Sequence, residues 1–283
     1  MKQILLSVLL SVTLFSAWSQ KSKSNVLVQK QSLTHDVYDR WKEITFRALT
    51  NDGAFAAYTI NPQDGDGKIV FHNLKTLTQD SIHRAANISL TWDSKYAVFK
   101  ITPQKELVKA LRRQKKKKEE LPNDSLGIYS FANRKTEKIP AVKSYKLPEK
   151  AGGWLAYQLE APKPDTAKKA AKSKKVKKNT DDNGYTLVLR NLNNNQETQF
   201  GYVKDYTFAK FGQGLLFHST GNDSTFKAGV YWYDLQANQL TTLFEAKSKY
   251  KVKGLSISED GTQTAFLVDT DTTKTLIRYY KLY

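Results

Sequence analysis

The side chains able to do acid-base, nucleophilic or metal chemistry are few in these 283 residues, and their spacing limits what they can do together. Four histidines stand at His35, His72, His83 and His218. Only His35 has a carboxylate one helical turn away, at Asp39, and one imidazole with one acid falls short of the three protein ligands of a catalytic metal; no His-Glu-x-x-His run occurs. All four read as structural or surface residues. Cysteine is absent, which excludes a disulfide framework, a thiolate metal site, a cysteine nucleophile and a lipid-modified N-terminal cysteine. The nearest approach to a serine nucleophile elbow is Gly254-Leu255-Ser256-Ile257-Ser258, which lacks the closing glycine and lies in a strand pattern with no helix after it. Asp64-Gly65-Asp66-Gly67 alternates acid with glycine, which suits a hairpin turn and repels phosphate; as a calcium loop it lacks further acids at regular spacing. No residue is assigned to catalysis, to cofactor binding or to a metal, and no cofactor is expected.

The elements that would position any such chemistry are strands. With 40% hydrophobic and 12% aromatic residues the chain has the material for a folded core. Outside two lysine-rich runs it consists of short β-type segments separated by turns, in a recurring order. The first group is Ile44 to Leu49, turn Asn51-Asp52-Gly53, Phe55 to Ile60, Lys68 to Leu74 and Asp80 to His83. The second is Ile88 to Thr91, turn Asp93-Ser94, Tyr96 to Thr102, Leu126 to Phe131 and Thr136 to Ile139. Val142 to Leu147, turn Gly152-Gly153, Trp154 to Glu160, Thr186 to Asn191 and Thr198 to Tyr202 make the third. The fourth runs from Tyr206 to Phe211 through Leu215 to Ser219 and Gly229 to Asp234 to Leu240 to Glu245. The fifth has Val252 to Ile257, turn Glu259-Asp260-Gly261, Thr264 to Val268 and Leu276 to Tyr280.

First turns at Asp52, Asp93, Gly152, Gly212 and Asp260 lie 41, 59, 60 and 48 residues apart. Removing insertions of 22 and 23 residues brings the middle two intervals to 37 each, so the underlying period is near 40 residues. Four strands at that period are the mark of propeller blades, each too small to cover its own apolar faces and obliged to stack on its neighbours. A β-sandwich also has short alternating strands, but not one strand order repeated with both insertions between second and third strands. The expected fold is all-β: a partial β-propeller of about 4 to 5 four-stranded antiparallel blades, at about residues 44-84, 88-140, 142-202, 203-246 and 250-283, following an N-terminal segment 21-43. Ending in a strand without a fourth partner, the chain is expected to be part of a longer protein.

Lys+Arg number 45 against 27 Asp+Glu, a net charge of +18. Half of that excess sits in the two insertions, 103-124 with eight basic and four acidic residues and 161-183 with eight and three. Nearly free of large apolar residues, they read as solvated; Leu107 and Leu111 one turn apart make a helix plausible in Glu106 to Glu120. A nucleic-acid patch is the competing reading, but neither run interleaves the aromatics that stack bases, so no nucleic acid is expected. Met1 to Gln20 opens with Lys2, carries the apolar run Ile4 to Phe15 and reaches small residues in Ala17-Trp18-Ser19, the pattern of a secretory signal peptide. The run is shorter than the ~20 residues that span a bilayer, so after removal of residues 1-20 no membrane span is expected and the protein is periplasmic or secreted.

Several segments carry a resemblance. Leu33-Thr34-His35-Asp36-Val37-Tyr38-Asp39-Arg40-Trp41-Lys42, Leu49-Thr50-Asn51-Asp52-Gly53 before Tyr58, Pro62 to Lys68 and Pro122-Asn123-Asp124-Ser125-Leu126-Gly127-Ile128-Tyr129 resemble the N-terminal part of exported prolyl oligopeptidase-family serine peptidases of Bacteroidetes-type bacteria. Ile257-Ser258-Glu259-Asp260-Gly261 followed by Ala265-Phe266 is similar to the more generic propeller repeat of that family. The resemblance implies a propeller that gates peptide entry to an α/β-hydrolase domain, with the serine nucleophile, histidine and aspartate on that second domain. None of those residues maps onto this sequence, so the chain alone is expected to be inactive, its partner a peptide substrate held by the absent domain. The other reading is a stand-alone periplasmic propeller that binds a protein or an anionic polymer through its loops.

Overall fold

A computed structural model describes residues 35–161, 178–222, 226–247, 250–273 and 277–283. The proposed signal segment and most of the second lysine-rich run lie outside the described residues. The chain forms two compact units. Of Met1–Tyr38, the described part opens the 3-10 helix His35–Arg40, where the His35 ring meets Tyr38 edge-on at 5.3 Å. Among the described residues no helix is long and apolar enough to cross a membrane.

The unit Asp39–Tyr283 is built from antiparallel strands. The first sheet contains β1 (Lys42–Glu43), β2 (Arg47–Leu49), β3 (Phe55–Pro62), β4 (Lys68–Asn73) and β5 (Gln79–His83). Both β1 and β2 pair with β3, at its two ends, so one innermost strand is broken at residues 44–46 where a single strand from Ile44 was expected. The second sheet is β6 (Ala85–Leu90), β7 (Tyr96–Ile101), β8 (Ser125–Ser130) and β9 (Lys135–Ile139), in that order. A seven-stranded sheet follows: β10 (Val142–Lys146), β11 (Trp154–Leu159), β12 (Tyr185–Asn191), β13 (Glu197–Phe208), β14 (Gly214–Ser219), β15 (Gly229–Asp234) and β16 (Gln239–Glu245). The last is β17 (Lys251–Ile257), β18 (Thr264–Asp269) and β19 (Lys281–Leu282).

The seven-stranded sheet corrects one expectation. Thr198 to Tyr202 and Tyr206 to Phe211 are not two strands but one, β13, whose first half pairs with β12 and whose second half pairs with β14. Val203 belongs to both ladders, opposite Tyr185 and Ser219, and a register shift beside it in each ladder turns the strand from one sheet to the next. Gly201 and Tyr202, at φ +54°, form the bulge beside Val203, and no proline interrupts the backbone, so the strand continues while its partners change. The second correction is in the fifth group. Ile277 to Tyr280 are not a strand, Leu276 lies outside the described residues, and the third strand is Lys281–Leu282, opposite Leu267 and Val268.

Alternating residues of each strand point to opposite faces, and the apolar ones meet those of the adjoining sheet. Ala57, Ile69 and Phe71 pack on Ala97, Phe99 and Tyr129, so the first two groups share one core. Val98, Leu126 and Ile128 face Leu155, Tyr157 and Val188 across the next interface. Leu187, Leu189 and Phe200 meet Phe217, Tyr231 and Tyr233 in the largest cluster. Leu216 and Val230 meet Phe266 and Val268 in the last. Five groups and four successive interfaces are the stacking a propeller requires. At about 1.5–3 kcal/mol for each large apolar side chain fully buried, these contacts are the main favourable term. Gly127 serves one of them, since a Cβ there would lie 2.3 Å from the Phe99 ring.

Polar contacts tie the same neighbours. The Tyr129 hydroxyl donates to Asp80 at 2.5 Å, and Arg134 grips that carboxylate with two bonds of 2.7 Å, joining β8 and the turn after it to β5. Arg190, buried in β12, holds Glu137 of β9 through two bonds of 2.7 Å. First turns also meet: Asn51 donates to the Trp92 carbonyl, Lys150 N–H to the Lys210 carbonyl and Gln213 to the Asp260 carbonyl. The turns that set the sequence repeat are thus neighbours at one end of the stack.

The first insertion forms α1 (Lys105–Arg113) and a 3-10 turn at Lys118–Glu120, a shorter helix than the span Glu106 to Glu120 suggests. None of its residues is buried. It is nonetheless pinned to the Asp64-Gly65-Asp66-Gly67 turn. Lys109 Nζ bonds both Asp64 oxygens at 2.8 and 2.6 Å, and the Lys105 N–H donates to Asp66 Oδ1.

Candidate functional site: the axial cavity

The innermost strands of successive groups converge on a cavity of about 880 Å³. Ser89 comes from β6, Tyr145 from β10, Thr207 from β13 and Ser256 from β17, so four groups each contribute a wall. This placement follows from the strand order. β6, β10 and β17 are edge strands and the second half of β13 pairs with β14 alone, so each of the four keeps an open inner edge beside the cavity.

The walls are polar, and their cations are neutralised. Lys100 pairs with Asp124 at 3.2 Å and donates to the Lys143 carbonyl at 2.6 Å. Lys143 pairs with Asp181 and stands 3.9 Å over the Tyr185 ring; burial works against its charge, but the bonds to Asp181 and Tyr185 outweigh that and hold its pKa above the usual lysine value. Lys146 lies 3.7 Å from Asp205, and Lys210 pairs with Glu259, which raises the lysine. Asp124 and Asp181 stand at the ends of the two lysine-rich insertions, so both insertions return to the fold by docking an acid on a cavity lysine.

The Ser144 hydroxyl is also committed. Ser144 Oγ donates to Gln158 Oε1 at 2.9 Å, Tyr206 therefore supplies the proton of the 3.0 Å Tyr206–Ser144 bond, and Gln158 Nε2 donates to the Val203 carbonyl. Burial pushes the Tyr145 phenol up to about 12 and Tyr206 higher still, so both stay protonated donors at neutral pH. No histidine lines the cavity, so its serines have no imidazole beside them to take a proton. The arrangement offers hydrogen-bonding groups suited to an extended, largely neutral chain.

Of the residues weighed from sequence, Leu255, Ser256 and Ile257 line this cavity, and the histidines and the Asp-Gly turn lie elsewhere. His83 is exposed on β5, and His72 is half-buried on β4 with an unpartnered Nε2. His218 is buried on β14, where burial first and Lys204 second lower its pKa to about 4. Among the described residues no group of three histidines and acids is placed to hold a metal. Gly254-Leu255-Ser256-Ile257 belongs to β17, with Gly254 at φ +68° where the β17–β18 register shifts, so Ser256 sits on a bulged strand and not on an elbow. The acids of Asp64-Gly65-Asp66-Gly67 are engaged by α1. Sequence reasoning missed the cavity lysines Lys100 on β7, Lys143 and Lys146 on β10 and Lys210 just after β13, which no local pattern marks as facing one cavity.

No family model and no curated protein matches the chain. Among solved structures it is similar to the Pyrococcus horikoshii acylaminoacyl peptidase, with 11% identity and a TM-score of 0.46, covering 89% of this chain and 39% of that one. It is also similar to the β-propeller domain of the Trilobed protease from Pyrococcus furiosus, with 12% identity and a TM-score of 0.43 over 86% of this chain and 69% of that one. A structure from a study of two prolyl endopeptidases gives 11% identity and a TM-score of 0.45 over 82% and 33%. The chain therefore spans about two fifths of the length of the acylaminoacyl peptidase.

Proposed function

We propose that this chain is the non-catalytic propeller portion of an exported serine peptidase of the prolyl oligopeptidase family, of the Bacteroidetes type. In this reading it admits peptides along its axis to an α/β-hydrolase domain encoded beyond Tyr283, and the protein works in the periplasm or after secretion. The motif resemblance motivates the family. The observation that carries the role is the axial cavity: wide, lined by hydrogen-bonding groups from four strand groups, its lysines paired with acids, and without a nucleophile beside a base. Paired lysines favour a neutral peptide over an anionic polymer, because a polyanion would have to displace Asp124, Asp181 and Glu259 before gaining contact.

The coding sequence is expected to continue past Tyr283 into a Gly-x-Ser-x-Gly elbow. This chain alone should release no product from chromogenic Ala-Pro or Gly-Pro peptides. In the full-length enzyme, Ser144→Trp should narrow the cavity and lower kcat/KM for long peptides by ~10-fold or more while leaving dipeptides within about twofold. A stop codon after Tyr283 with a monodisperse folded product, or hydrolysis by the isolated chain, overturns the reading.

A further inference from the structure

A second cavity, of about 510 Å³, lies between β14 and β17 and is lined by Lys204, His218, Asp182, Asn183, Lys251 and Tyr280, among others. On β14, Phe217 joins the core shared with the third group, whereas Leu216 packs against Phe266 and Val268 of the fifth. His218, two residues from Leu216, therefore faces the fifth group as well. It is 3% exposed, and its Nδ1 is enclosed with no hydrogen-bond partner. An enclosed N–H without an acceptor costs more than an enclosed lone pair without a donor, so the favoured tautomer carries its proton on Nε2.

The floor of the cavity is a donor; its rim is cationic. Lys204 at the start of the second half of β13 and Lys251 at the start of β17 both line it, and neither has an ion pair among the described residues. That sets them apart from the axial lysines, each of which has its own acid. The far wall is the turn Thr180 to Gly184, closed by the Gly184 N–H donating to the Thr180 carbonyl at 2.7 Å. Gly184 at φ +85° lets this turn lie against β13, since a Cβ there would come within 2.4 Å of the Tyr202 carbonyl oxygen. The turn brings Asn183 and one acid, Asp182, to the cavity. Two lysines without partners, a buried imidazole and a phenol around one concavity are a donor set that awaits acceptors.

We propose that this cavity binds a carboxylate, its two oxygens taken by Lys204 and Lys251 with His218 Nε2–H and the Tyr280 hydroxyl completing the shell. The shared chemistry fits a peptide C-terminus or a small free carboxylate. The site is separate from the axial cavity, so it stands independently of the peptidase reading.

Calorimetric titration of the whole chain at low salt tests it, with three probes: N-acetyl-Ala-Ala-Ala acid, the same peptide as its carboxamide, and succinate. At least one carboxylate probe should bind ~10-fold or more tighter than the carboxamide, the scale of one charge-assisted hydrogen bond. Lys204→Gln with Lys251→Gln should abolish that preference, while Lys146→Gln in the axial cavity should leave it intact. The two rim lysines are exposed, so an unchanged circular dichroism melt will separate lost binding from lost folding. Tighter binding of the peptide acid assigns a chain terminus; equal or tighter binding of succinate assigns a free carboxylate. If no carboxylate outbinds the carboxamide, or if the double substitution leaves the preference unchanged, the site does not exist.

Discussion

At the scale of single residues, His218 makes the clearest statement about pH. Burial, and secondarily the Lys204 charge, depress its pKa to about 4 in the folded chain, against about 6.5 unfolded. The unfolded state therefore binds a proton first as pH falls, and folding stability declines from the unfolded pKa down to the folded one, below which the loss is complete. The shift is worth about 3 kcal/mol. His218→Leu removes the titrating group and the unpartnered nitrogen together, so its stability should follow wild type near pH 8 and fall more gently by about that amount between pH 7 and 4. Urea denaturation at intervals of one pH unit reads this directly, because every other titrating group is common to both proteins. Parallel curves would mean that His218 is not buried as described. The sequence placed His218 in a strand and gave it no metal role; its burial depends on the fifth group covering that face, which no local pattern announces.

Between residues and the whole lies the element, and here the sequence was most informative. The turns Asp52-Gly53, Asp93-Ser94 and Asp260-Gly261 that precede β3, β7 and β18 act within a few residues, so they are visible without the fold. What could not be read depends on distant partners. The continuity of β13 is set by β12 and β14, and the position of β19 by where Phe266 bonds the Tyr283 backbone in both directions. The lysine-rich α1 was legible as solvated, but its anchoring to Asp64 and Asp66 was not, since 45 residues separate Lys109 from Asp64. With both oxygens of Asp64 held by Lys109, that carboxyl lies below its ordinary value. Both side chains are nevertheless open to water, where such pairs add little. Replacing residues 103–121 by a short Gly-Ser linker should then shift Tm by no more than ~3 °C, measured by calorimetry. A much larger fall would show that α1 braces the first two groups.

For the whole molecule, stacking predicts how stability is distributed. A chain of sheets that touch only their neighbours gains order from each shared interface, so groups covered on both faces should open last. β14 is buried at all six positions because Phe217 fills one interface and Leu216 the next. β17 is mostly exposed, its ladder is interrupted at Gly254, and its group has three strands where the others have at least four. If burial on both faces sets the opening free energy, native-state hydrogen exchange should show amides of Leu215–Phe217 protected ~100-fold or more beyond those of Val252 and Lys253. The same reasoning bears on the proposed gating of peptides. The axial cavity takes Leu255 and Ile257 from the least protected group and Tyr145 from a well-packed one, so its wall is stiff on one side and easily opened on the other. Equal exchange at β14 and β17 would show instead that the five groups open as one, and a passage with a single yielding wall would have no physical basis.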